Sequence, residues 1–345
     1  MVDLMYVGAT SAPHAGDDIA AQTALTLARI DEHLRSRHAS LASVVSITVY
    51  LRRASDFAAM NDEYRQAFTS APPARTTIVT ELLPHGALVE MSAIAVPSST
   101  VREIIHPPAW RLSPNPYSYA IRVEPYVMLS GLLSRNGRDN AVVKGTVHDQ
   151  TRRIIENARE ILEATGLSLE HICSARVYLT DMRDFQAMNA AYGEFFGEAP
   201  PVRASGGVRL TSDAYNVEIA FIASAAPRRR VDADLAAYPN VSSAIASSNA
   251  LFVRALLPDR STYGQPAAEA RDVLQQLDRA LAAAEFRRDE LREVLLYVAD
   301  ARAGEDAAAL CRDVIGPSAA ITVVNADIGS PGVSVELAVT AIRAQ

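Results

Sequence analysis

The nine residues Asp56-Phe57-Ala58-Ala59-Met60-Asn61-Asp62-Glu63-Tyr64 return 128 positions later as Asp184-Phe185-Gln186-Ala187-Met188-Asn189-Ala190-Ala191-Tyr192. Two further landmarks keep the same displacement. Pro73-Ala74-Arg75 becomes Pro201-Val202-Arg203, and Val89-Glu90-Met91 becomes Val217-Glu218-Ile219. One constant offset across three motifs identifies an internal duplication, and a duplication constrains the architecture before any local propensity does. A third, more divergent copy follows at an offset of 118, where Ser334-Val335-Glu336-Leu337-Ala338-Val339 answers Asn216-Val217-Glu218-Ile219-Ala220-Phe221. Upstream of it Pro317-Ser318-Ala319 takes the place of Pro-x-Arg, so that Ala319 replaces the arginine. A chain of 345 residues exceeds one ordinary core. The repeat divides it into domains 1–98, 99–228 and 229–345.

Each copy presents the same order of elements. A first helix in copy one aligns Ala20, Ala24, Leu27, Ile30 and Leu34 into one apolar stripe, repeated in copy two by Ile155, Ala158 and Leu162. A strand follows, in which Val45, Ile47, Val49 and Leu51 alternate with Ser46, Thr48 and Tyr50, and Cys173, Ala175, Val177 and Leu179 with Ser174, Arg176 and Tyr178. That period predicts one buried and one polar face. Next come a short helix with Met-Asn-x-x-Tyr, the Pro-x-Arg strand, a turn at Pro84-His85-Gly86 and a last strand with the glutamate. Copies two and three add an N-terminal hairpin near 116–131 and 238–255. Copy one opens at Leu4-Met5-Tyr6-Val7-Gly8, which matches only the second hairpin strand and predicts an incomplete sheet edge or cleft.

Composition excludes several functions. A net charge of −7, with a single short basic run at Arg228 to Arg230, leaves no footprint for nucleic acid or an anionic membrane. No apolar stretch approaches a membrane span and the N-terminus lacks a signal-peptide n-region, so a cytoplasmic location is expected. Cys173 and Cys311 read as isolated core thiols, and the seven histidines show no metal-site spacing, so no metal or other cofactor is expected.

Pro-x-Arg followed by Val-Glu-(Met/Ile), and preceded by Phe-x-x-Met-Asn-x-x-Tyr, resembles the RidA family, also called YjgF-like proteins. The resemblance runs through copies one and two and reaches copy three in element order and last strand. It implies an α+β (α/β) fold of three tandem RidA-like, chorismate-mutase-like domains. These would form an intramolecular pseudo-trimer, with a central barrel of sheets and the helices outside. Ligand clefts then lie between neighbouring domains. The implied state is a monomeric pseudo-trimer, with further dimerisation left open.

The same resemblance implies hydrolysis of an imine, enamine or related C–N bond of a small carboxylate-bearing substrate, in a specialised biosynthetic or catabolic pathway. Arg203 and Arg75 match the carboxylate-binding arginine, whose planar fork suits a carboxylate. Glu218 and Glu90 match the glutamate that orients water. The expected clefts pair Arg203 with Glu218 and Arg75 with Glu90. Tyr117, Ser130-Gly131, Asn189, Ser205 and Asn61 match further substrate-binding positions. Val7-Gly8 stands in place of Ser-Gly in copy one and Arg254-Ala255 in copy three. Arg254 reads either as a substituted carboxylate ligand or as a solvated strand residue. Two other readings remain. One is a non-catalytic metabolite-binding or regulatory protein. The other is a chorismatase-like hydrolase, against which the lack of longer insertions counts.

Overall fold

The computed structural model describes residues 2–317 and 319–343, so Ser318 of the Pro317-Ser318-Ala319 motif lies outside the described residues. The first module runs β1 (Met5–Ser11), α1 (Ile19–Arg35), β2 (Val44–Leu51), α2 (Phe57–Ala67), β3 (Ala74–Val79) and β4 (Val89–Ala95). The second runs β5 (Glu103–Ile105), β6 (Ala120–Val123), β7 (Tyr126–Leu129), α3 (Val147–Glu163), β8 (Ile172–Leu179), α4 (Phe185–Gly193), β9 (Val202–Gly207), β10 (Arg209–Leu210) and β11 (Val217–Ser224). The third runs β12 (Arg228–Val231), β13 (Ala244–Ser247), β14 (Ala250–Leu256), α5 (Pro266–Ala283), β15 (Leu291–Val298), α6 (Ala301–Ile315), β16 (Ala320–Asn325) and β17 (Val335–Ile342).

The strands form three mixed sheets, ordered β1-β4-β2-β3-β10, β5-β6-β7-β11-β8-β9 and β12-β13-β14-β17-β15-β16. In each, the strand before the second helix pairs in parallel with the strand after it, and antiparallel with the glutamate strand. Among the described residues no ladder closes the sheets into the expected central barrel. The seams carry only short bridges, Arg209-Leu210 on Val79 and Ile78 of the first sheet, and Gly207 on Asp327. Strand β1 is an edge of its sheet, whereas its counterparts β7 and β14 are flanked by outer strands β6-β5 and β13-β12. Among the described residues the first sheet thus has its edge at β1.

Every module packs its helix pair on one face of its own sheet. In the first, Leu27, Ile30, Leu34, Met60 and Tyr64 meet Ile47, Val49 and Leu51. The stripe on α1 departs from the expected one: Ala24 is exposed and Gln22, Thr23 and Thr26 are buried. Gln22 is tolerated there because it is satisfied, donating to the carbonyls of Gly16 and Gly86 and accepting from the Leu88 amide.

The opposite sheet faces are not solvated. Tyr50 and Thr48, placed by the alternation on a polar face, are buried. Two clusters draw on all three modules. One joins Leu4, Tyr6 and Ile94 with Met128, Val202, Phe252 and Ile342. The other joins Tyr50 and Ile78 with Tyr178, Leu210, Tyr297 and Val324. Strand periodicity reports which residues share a face, but a face turned to a neighbouring module is buried as surely as one turned to a helix. Both cysteines are buried and free, and no described helix is long and apolar enough to cross a membrane.

Candidate functional site

The seams combine the arginine of one module with the glutamate of the next. At the first, the end of β3 docks on module two. The Ser118 amide and hydroxyl donate to the carbonyls of Pro73 and Pro72, the Arg75 amide donates to Ser130 Oγ at 2.8 Å, and the Gly131 amide donates to Arg75 O at 3.0 Å. Here Arg75 meets Glu218, not Glu90: the Thr77 amide donates to Glu218 Oε1 at 3.4 Å. The Arg75 guanidinium lies among the rings of Phe57, Tyr64 and Tyr117, 4.8 Å from the Tyr64 centroid and 5.7 Å from that of Tyr117, and its Nη1 is buried without a partner. Gly131 approaches Glu218 closely: a Cβ there would lie 1.9 Å from Oε1, so the Glu218 side chain would have to shift. Asn61 donates to Asn115 across the same seam at 3.5 Å.

The second seam repeats this plan one module on. Ser242 donates through its amide and hydroxyl to Pro201 and Pro200, as Ser118 does to Pro73 and Pro72. Arg203 donates through Nη2 to Asn189 Oδ1 at 2.8 Å, stacks on Tyr192 and Phe185, and leaves Nη1 buried and unpaired. It shares a cavity of about 370 Å³ with Glu336 of module three, not with Glu218. Asn189 and Ser205 line that cavity with Arg254 and Tyr238. Arg254 is buried, 3% exposed, so it is no solvated strand residue. The expected binding set therefore divides: Tyr117, Ser130, Gly131 and Asn61 belong to the first seam, Asn189 and Ser205 to the second.

The third seam lacks the arginine. Ala175 pairs with Arg203, Ile47 with Arg75, and at the same register Val294 pairs with Ile321. Ile321, rather than Ala319, thus occupies the arginine position. Register also moves the other expected match by one residue. Leu132 bridges Ile219 as Thr10 pairs with Met91, so Gly8-Ala9, not Val7-Gly8, stands where Ser130-Gly131 does. A Cβ on Gly8 would meet Ile321 O at 2.7 Å. Glu90 is left with Arg52 as its nearby cation.

Burial dominates the electrostatics. It pushes the Glu218 carboxyl up to about 8 against the Thr77 amide and Arg75, and the Glu336 carboxyl up to about 8 against Arg254 and Arg203. Glu90 rises to about 7 for the same reason. A carboxyl in that range can hold a proton at neutral pH and release it during a reaction. Burial also lowers Arg75, Arg203 and Arg254, yet guanidinium stays cationic. Among the described residues no cluster of His, Cys, Asp and Glu could hold a metal ion.

The sequence marks Glu336 as the third copy's glutamate without pairing it with Arg203 and leaves Arg254 open between two readings, and it gives no sign of Tyr238 and Ile328. One signal was available. Pairing each arginine with the glutamate of the following copy gives two seams both groups and leaves the third without the arginine.

Comparison with known proteins gives the family and the fold. The family model described as Endoribonuclease L-PSP matches twice, over residues 7–97 and 110–225. A RutC family protein of Pyrococcus horikoshii is 42% identical over 109 residues, 31% of this chain and 86% of the relative. A 2-iminobutanoate/2-iminopropanoate deaminase of Capra hircus is 33% identical over 130 residues, 38% of this chain and 95% of the relative. A solved chorismatase structure superposes on 87% of this chain and 93% of its own with a TM-score of 0.60 at 14% identity, a likeness of fold.

Proposed function

Because the chain belongs to the Endoribonuclease L-PSP family, we propose that it hydrolyses the C–N bond of an imine or enamine of a small carboxylate, at the seam between its second and third modules. The observation that carries this reading is one cavity in which Arg203 holds an unpaired Nη1 beside the buried carboxyl of Glu336. Relatives that include a 2-iminobutanoate/2-iminopropanoate deaminase support the reaction class.

The chemistry asks little of the protein. Arg203, oriented by Asn189 and flanked by two rings, anchors the substrate carboxylate; a charge-assisted contact of this kind is worth about 1.5–3 kcal/mol. Water adds to the imine carbon while the C=N pair moves to nitrogen, giving a carbinolamine. The proton that water gives up and the proton that nitrogen takes pass through the Glu336 carboxyl. The hydroxyl proton then passes to the amino nitrogen, by way of the same carboxyl, as the C–N bond breaks, so that ammonia leaves and the keto acid remains. Apolar walls from Met182, Phe185 and Ile328 keep the carboxyl out of bulk water, which holds its proton affinity near neutrality. The Arg75–Glu218 seam has the same two groups and is the secondary site.

On this reading the chain is a one-polypeptide counterpart of a trimer. Covalent linkage removes an association cost of about 4–15 kcal/mol and lets the seams diverge. The test is ammonia release from 2-iminobutyrate or 2-iminopropionate, generated in situ by an amino-acid oxidase. Turnover that falls by roughly 10- to 150-fold in Arg203→Ala is expected; absence of turnover with any imine, together with tight keto-acid binding, would overturn catalysis in favour of a metabolite sensor.

A further inference from the structure

We infer that the cavity between the second and third modules selects a substrate with two carboxylates, one held by Arg203 and the other by Arg254. This deepens the function proposed above and rests on it for the reacting bond, though not for the charge of the ligand. At the first seam the position equivalent to Arg254 is Ser130, whose hydroxyl is used up between the Arg75 amide and the Ser118 carbonyl. At the second seam the hydroxyl is replaced by a guanidinium, and the site is built around it. Arg254 donates through Nη1 to Ala255 O at 3.0 Å and through Nη2 to Ala236 O at 2.7 Å, and its carbon lies 4.4 Å from the Tyr238 ring centroid.

All of these partners are uncharged, as is the Asn189 oxygen that receives Arg203. Two buried cations therefore face one cavity in a chain whose net charge is −7. Among the residues lining the cavity Glu336 is the one acid, and burial favours its neutral form. Uncompensated buried charge is costly, and a fold that keeps two such cations leaves their neutralisation to a ligand. One carboxylate offsets one guanidinium; a dicarboxylate offsets both. The cavity, about 370 Å³, lies within the size range of small-molecule sites, roughly 300–1,000 Å³. Arg75 stands without such a second guanidinium at the Ser130 position, so the first seam suits a monocarboxylate.

The experiment uses the full chain. Calorimetric affinities of 2-oxoglutarate and 2-oxobutyrate, as product-like probes, are compared alongside ammonia release from 2-iminoglutarate and 2-iminobutyrate. The expected result is at least about tenfold tighter binding of the dicarboxylate, falling to within about threefold in Arg254→Met and partly retained in Arg254→Lys. Equal affinities in the unsubstituted protein, a comparison independent of whether any variant folds, overturn the inference. So does a preference that survives in a folded Arg254→Met, which would reduce Arg254 to a brace for the loop at Tyr238. Arg254-dependent dicarboxylate binding without ammonia release from either imine sustains the inference and removes the hydrolytic reading. Equal turnover of both imines does the reverse.

Discussion

Arg176 on β8 and Glu293 on β15 meet at 2.5 Å across the inner faces of the second and third sheets. By strand register Arg176 holds the position of Thr48 and Leu295 in the other modules, and Glu293 that of Ser46 and Ser174. A site that three identical subunits would fill three times is filled here by one ion pair. Burial works against the Arg176 cation, but Glu293 and the hydroxyls of Tyr178 and Tyr50 outweigh it and raise its proton affinity. Thr340 donates a further hydrogen bond to Glu293.

Removing one partner of this pair strands the other. Arg176→Leu is expected to cost about 3 kcal/mol, the low end of the range for breaking a buried pair, because cavities of about 20 Å³ each flank the site. Arg176→Leu combined with Glu293→Gln should recover most of that loss. Guanidinium denaturation of the single and double variants measures it, and a double variant as unstable as the worse single one would contradict the account.

Arg203→Ala is expected to lower kcat/KM for an imino acid by roughly 10- to 150-fold, the equivalent of one lost charge-assisted contact. Arg203→Lys should restore little, because a point charge cannot reproduce the fork that binds Asn189 and a carboxylate together. Arg75→Ala should cost less than Arg203→Ala. Steady-state ammonia release ranks the two, and the opposite order would move the main site to the first seam.

Gly131→Ala forces the Glu218 side chain to move, since the new Cβ would meet Oε1 at 1.9 Å. The second seam already carries Ala255 at this position. The substitution should therefore disturb the first seam alone, with a smaller loss of activity than Arg203→Ala. A Gly131→Ala loss equal to that of Arg203→Ala would show that the two seams do not act separately.

Buried carboxyls raised to about 7 and about 8 in the fold, against an ordinary 4.5, tie stability to pH. Their neutral forms are retained on folding, so the contribution is complete in acid. It declines as pH rises from about 4.5, and is lost once the folded groups ionise near 7 to 8. Stability from denaturation curves should fall between pH 6 and 8. Glu218→Gln should flatten that fall by up to about 1.4 kcal/mol per pH unit. Catalysis through a protonated Glu336 should show kcat/KM decreasing above about pH 8, a limb absent from Glu336→Gln.

Much of the architecture was open to reading in one dimension. Three copies, their element order and the positions of Arg75, Arg203, Glu90 and Glu218 follow from offsets and periodicity, because a repeated module repeats its core. Two motif matches differ from the structure. Gly8-Ala9 replaces Ser-Gly only when the irregularity between Val7 and Thr10 is counted in the ladder. Ile321 holds the arginine position because the register of β16 on β15, not the nearest proline, decides it. Arg254 could be read as ligand or as solvated residue, and only its neighbours Tyr238, Ala236 and Glu336 distinguish the two.

The sequence by itself determined what each module is, since hydrophobic period, turn residues and motif spacing act within a hundred or so residues and are written locally. Only the tertiary structure decided which module's arginine meets which module's glutamate. That choice depends on how three inner sheet faces pack against one another, and contacts between faces leave no periodic trace along the chain. Packing in that order puts Arg203 beside Glu336, opens a cavity of about 370 Å³ lined by both, and leaves Glu90 facing a module that has isoleucine where arginine would stand.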